Sequence, residues 1–201
     1  MKKSLVSIIF CCWATLTTYS QVNYAVGGGT SISLHRTDLN GKWFLSYHAQ
    51  FLLSKEYDKL NYSIGMLLET RGVRKGELFH NQSLQHVFVV LPLAVSCVVR
   101  DRLAIGVALE PSLTIANRFR ISEKLQPADL EDNIENVVNV GITPNIYIRL
   151  NEQLKLKLDF RFDLTPIRER FFELNHSTNE ITTFMQPYRY QTLRLSLLKS
   201  L

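Results

Sequence analysis

Two groups of residues in this chain have types and spacings that could carry chemistry. The first is a row of charges, Lys155, Lys157, Asp159, Arg161 and Asp163, each separated from the next by Leu156, Leu158, Phe160 or Phe162. Charges of both signs at that spacing can pair with one another or line a polar path. The second group is the serine–histidine pairs Ser33 with His35 and Ser46 with His48. A serine beside a histidine is the nucleophile and base of acyl transfer, provided an acid orients the imidazole. In an extended chain, residues two apart share a face, so each pair would lie with the other polar side chains rather than at an apolar boundary. Such pairs are also common by chance, and an enzyme is not expected.

Other candidates are weaker. His80, His86 and His176 have no metal-ligand spacing between them. Gly27-Gly28-Gly29 is followed by neither a helix pattern nor a lysine with Ser or Thr, so it is not a phosphate loop. Glycines inside a strand read better as a bend or as room for a neighbouring side chain. No catalytic, cofactor-binding or metal-ligating residue is predicted, and no cofactor.

The element that must position the charged row is Gln153 to Arg168. Its apolar face is Leu154, Leu156, Leu158, Phe160, Phe162 and Leu164, and strict period-two alternation argues a β-strand, since a helix would scatter those residues around its surface. The strand is long for a soluble protein, where about 5–6 residues are usual, and its polar face is almost wholly ionised. A membrane barrel accommodates both faces, with lipid outside and a polar lumen inside, and needs about 9–11 residues to cross.

Six further segments carry the same signal, and a seventh is apolar on both faces. Alternation runs from Val22 to His35, from Trp43 to Leu53, from Leu60 to about Val73, from Arg102 to about Arg118, from Asn136 to Leu150 and from Tyr188 to about Lys199. The segment Gln85 to Val99 is apolar on both faces, so periodicity alone cannot orient it, and Pro92 inside it favours a bulge or local break. Trp43 and Tyr47 suit a lipid interface. The connections are unequal. Ser54–Lys59, Arg100-Asp101 and Asn151-Glu152 are short, whereas Arg74–Ser83, Phe119–Glu135 and Glu169–Gln186 are long polar loops; only Asp38–Lys42 is brief on the long side. Up-and-down strands send alternate connections to opposite ends, which gives the short periplasmic turns and long outer loops of outer-membrane barrels.

The chain has 201 residues, enough for one small barrel, and its hydrophobic content of 46% with mean hydropathy −0.02 excludes a helical membrane protein. Lys2 and Lys3, the apolar run Leu5–Trp13 and the small-residue stretch ending at Ser20 read as a secretory signal peptide over 1–20, cut between Ser20 and Gln21. Phe10 before Cys11 argues against a lipoprotein site. Losing Lys2 and Lys3 from 23 basic residues leaves 21 against 18 acidic, about +3, with no basic patch that would imply nucleic acid. Cys11 and Cys12 leave with the signal and Cys97 stands alone, so no disulfide framework is available.

The expected fold is therefore all-β: residues 21–201 as an eight-stranded antiparallel up-and-down transmembrane β-barrel. Eight strands return the last beside the first and remove free edges. Alternation alone cannot separate this from a soluble lipocalin-like barrel, which would keep its apolar row inside around a lipid. Strand length, unequal rims and the small residues Gly27, Gly29, Gly106, Ala108 and Ser112 opposite the apolar rows favour lipid outside. The inward row then holds Glu69, Arg71, Glu110, Arg149, Lys155, Lys157, Asp159, Arg161, Asp163 and Arg194. An eight-strand lumen is narrow enough to be filled by side chains, so these charges should pair as a network that plugs it.

The signal ending before Gln21, the glycine-rich first strand, Leu91-Pro92-Leu93, and Gly106 to Leu113 with Glu110-Pro111 resemble the PorT-type outer-membrane β-barrel proteins of Bacteroidetes. The resemblance spans the mature chain. It implies an integral protein of the cell outer membrane, in contact with outer-membrane lipid and with a secretion-system or other envelope protein as partner. The expected role is structural or secretion-associated, exercised through the extracellular loops or a partner. The alternatives are an outer-membrane lipid-modifying enzyme and a soluble lipid binder.

Overall fold

Alternating residues become strands because one face of each can be buried while the other meets a different solvent, and every segment flagged by alternation does so. The computed structural model describes residues 22–35, 43–74, 83–120, 138–175 and 180–201. The signal-peptide segment 1–20, the connection Asp38–Lys42 and most of Arg74–Ser83 and Phe119–Glu135 lie outside the described residues.

The strands are β1 (Asn23–His35), β2 (Phe44–Tyr57), β3 (Leu60–Arg74), β4 (Ser83–Val90), β5 (Leu93–Arg100), β6 (Leu103–Arg120), β7 (Val138–Arg149), β8 (Leu154–Asp163), β9 (Ile167–Asn175), β10 (Glu180–Tyr188) and β11 (Tyr190–Ser200). β4 and β5 are one wall strand interrupted at Leu91-Pro92, with β3 pairing both halves in the same register. The break leaves the Gly65 amide bonded to the Pro92 carbonyl at 3.1 Å. Every neighbouring pair is antiparallel, and β1 pairs with β11 from Ala25↔Ser200 to His35↔Tyr190, which closes an eight-stranded barrel. Closure leaves the barrel strands, among the described residues, without a free edge strand to recruit another chain.

Two expected boundaries shift. β2 continues to Tyr57, so the connection shrinks from Ser54–Lys59 to the two-residue turn Asp58-Lys59, where Asp58 takes φ 54°. Aspartate tolerates that left-handed conformation better than most residues. Glu169–Gln186 is not an open loop: β9 and β10 pair with each other from Ile167↔Tyr188 to Asn175↔Glu180 as a two-stranded ribbon. Its polar composition hid it, because backbone pairing between two such segments needs no apolar face.

The barrel is inside out relative to a soluble protein. Leu45, Tyr47, Met66, Ile105, Ile115 and Leu195 are exposed on the outer wall, while Glu69, Arg71, Glu110 and Arg161 inside are 1% exposed or less. A lipocalin-like carrier would show the reverse. The ambiguous fourth strand turns Phe88, Val90, Ala94 and Ser96 inward and Leu93 and Val95 outward. Its inward aromatic joins Leu67, Val90, Ile167 and Tyr190 in an apolar cluster inside the barrel.

Candidate functional site: an ion-pair ring in the lumen

Along a strand, inward residues two apart stand about 6.6 Å from each other, within reach of an arginine. Glu69 with Arg71 on β3, and Arg161 with Asp163 on β8, use that spacing, pairing at 2.8 Å in each case. Lys157 and Asp159, also on β8, pair at 3.0 Å. Across the lumen Arg161 reaches Glu110 of β6 at 2.8 Å, and Arg194 of β11 reaches the same carboxylate at 2.7 Å. Longer contacts join Arg71 to Asp163 at 3.6 Å and Arg194 to Glu69 at 3.7 Å.

Together these contacts trace a closed circuit of alternating sign: Glu69, Arg71, Asp163, Arg161, Glu110, Arg194 and back to Glu69. Asp159 hangs from Arg194 at 3.6 Å and carries Lys157 with it. Four carboxylates face four cations, so the group is neutral. β3 and β8 lie on opposite sides of the barrel, each four strands from the other in either direction around the wall. The circuit is therefore a brace across the lumen.

Neutral groups complete it. Arg161 donates to the Glu110 carbonyl at 2.9 Å, to Ser112 Oγ at 3.2 Å and to Asn139 Oδ1 at 2.6 Å. Asp163 accepts from the Tyr190 amide at 3.1 Å. Arg71 stacks on Phe88, its Cζ 4.4 Å from the ring centroid, which ties the brace to the apolar cluster. Gly141 gives Arg161 its space: a Cβ there would sit 2.5 Å from the Arg161 Cζ. Buried charges persist only when paired and hydrogen-bonded, and this arrangement meets both conditions for Arg161.

Of the inward residues expected from the sequence, Glu69, Arg71, Glu110, Lys157, Asp159, Arg161, Asp163 and Arg194 come together in this network. Arg149 and Lys155 do not. Arg149 is exposed and Lys155 only half-buried, both at the short-turn end, where they line a separate cavity. Parity along a strand assigns a face but not a depth, and these two lie near the end of the wall. Asn139, Ser112, Thr143 and Gly141 were not singled out as network members, although the small or polar residues facing Arg161 and Arg194 are the signal that points to them.

The Ser46–His48 pair does not form. Ser46 Oγ meets Ser31 Oγ at 2.7 Å, and His48 Nε2 instead meets Ser196 Oγ at 2.7 Å, deep in the lumen where His48 is 6% exposed. Ser33 bonds the backbone of Gly72. The His35 side chain, His80 and His176 lie outside the described residues, and His86 packs edge-on to Tyr190 with ring centroids 6.2 Å apart. Among the described residues no group of three or more His, Cys, Asp or Glu side chains could hold a metal ion.

An apolar outer wall, closed antiparallel pairing and a charged, filled lumen define the class: a small β-barrel of the outer-membrane type. Solved structures of that type share the fold. Neisserial surface protein A superposes with TM-score 0.55 at 8% identity over 90% of this chain and 99% of that one. The outer membrane protein OprG from Pseudomonas aeruginosa does so with TM-score 0.54 at 10% identity over 91% and 97%. No family model matches the chain, and no curated protein does.

Proposed function

We propose that the chain is an integral outer-membrane barrel with a closed lumen, structural or secretion-associated, which acts through its long-loop end or through an envelope partner. In this reading the segment 1–20 is removed after Ser20, the short turns face the periplasm and the outer wall contacts lipid. The resemblance to PorT-type barrels agrees with it. The observation that carries the closed lumen is the neutral circuit of buried ion pairs spanning the barrel from β3 to β8. A path for ions would have to break several of those pairs at once, which the narrow lumen of an eight-strand barrel gives no room to do.

Fractionation should place the mature protein in the outer membrane, with faster gel mobility before boiling than after. Purified protein in planar bilayers should give no persistent conductance. A steady open-channel current would overturn the closed lumen, and recovery in the soluble fraction without detergent would overturn the membrane reading. A lipid-modifying activity finds no support in the buried His48–Ser196 contact, which no lipid headgroup can reach; an altered lipid A mass profile on deletion would restore it.

A further inference from the structure

Below the ion-pair network, at the short-turn end, the lumen opens into a small vestibule of about 60 Å³. Its rim carries Arg100, Arg102, Arg149 and Lys155 against only Glu56 and Asp101. None of the four cations makes an ion pair among the described residues, in contrast to every charge of the network above. The inner end is shut: Tyr147 lines the vestibule, and Lys157, held by Asp159, stands over its ring at 5.6 Å. Leu52 and Leu198 supply apolar lining, and Asn61, also in the lining, has a carbonyl oxygen with no hydrogen-bond partner.

We propose that this vestibule binds an acidic peptide segment of a periplasmic protein. The inference rests on the barrel reading above, which turns this end toward the periplasm. A blind, basic cup of this size admits the carboxylate of an acidic side chain and stops the rest of the chain at the rim, so it holds a ligand rather than passing one. Charge complementarity selects an anion. A peptide is favoured over a lipid headgroup because residues of all eight wall strands line the vestibule, so it opens on the lumen axis rather than on the lipid-facing wall.

The test uses the full mature chain in phosphatidylcholine nanodiscs, titrated with fluorescein-labelled oligoglutamate and read by polarisation. Binding should appear, weaken with added salt, and be absent for oligolysine. The double variant Arg149→Glu/Lys155→Glu should raise Kd about tenfold, and Arg149→Gln/Lys155→Gln by less, with heat-modifiable mobility retained; if the reversed pair does not fold, the glutamine pair carries the test. Absence of binding, or binding that ignores both variants and salt, overturns the proposal. So does loss of peptide binding in phosphatidylglycerol nanodiscs when native mass spectrometry shows that lipid held by the wild type and not by the variant, which would make a headgroup the occupant. A membrane-embedded, heat-modifiable protein that ignores oligoglutamate sinks this inference alone, whereas a protein that fails fractionation sinks both.

Discussion

The middle of the lumen and its short-turn mouth are built from the same residue types and differ in how their charges are used. In the middle, four carboxylates and four cations cancel inside a closed circuit, and Arg71 and Arg161 have no exposure at all. At the mouth, four cations face two carboxylates, and Arg100, Arg102 and Arg149 are exposed. Away from water an unpaired charge costs several kcal/mol, so the sequence must place a partner for each one. Where water reaches the side chain that constraint vanishes, and a surplus of one sign becomes available for binding.

The sharpest way to break the contrast is to remove one cation from the middle. Arg194 touches Glu110, Glu69 and Asp159, so Arg194→Ala leaves three buried carboxylates short of a partner. We expect a loss of about 3–5 kcal/mol, measured by urea unfolding of the refolded barrel in lipid vesicles. The paired change Arg194→Met/Glu110→Leu removes one charge of each sign and should lose less than either single variant. A double-mutant cycle reads that coupling directly; additive losses would mean that the two residues do not act as a unit.

A smaller effect tests the space that the circuit needs. Gly141→Ala adds one methyl group against the Arg161 guanidinium, with Nε at 2.6 Å and Cζ at 2.5 Å from the new carbon. Arg161 is held by Glu110, Asp163 and Asn139, so it cannot withdraw without breaking those bonds. Overpacking of this kind costs about 1–3 kcal/mol. The same unfolding experiment checks it, and a neutral result would show that the guanidinium has a second position of similar energy.

How much of this was legible in the sequence depends on which physical quantity sets each feature. Alternation along Leu154–Asp163 is local, and it gave both the strand and the inward row before any partner was known. The apolar fourth strand could not be oriented because its facing depends on distant residues: Phe88 turns inward to meet Tyr190 and Arg71. A lumen that is polar in one part and apolar in another defeats a rule that assigns every apolar row to lipid. Depth was equally hidden. Lys155 and Lys157 share a face and a residue type, yet one lies at the mouth and the other pairs with Asp159, because depth is fixed by how neighbouring strands stagger rather than by parity.

That last pair gives the mildest prediction and the one that separates the two regions most directly. Lys155→Ala and Arg149→Ala remove cations that make no ion pair among the described residues, so neither leaves a buried partner behind. Stability should stay within about 0.5 kcal/mol of the wild type in the urea experiment. Lys157→Ala, two residues along the same face, should cost clearly more, because Asp159 would lose its 3.0 Å partner in a site that water does not reach. Equal losses at 155 and 157 would mean that the vestibule is as dry as the brace, and its cations would then have to be part of the plug rather than a surface free to bind.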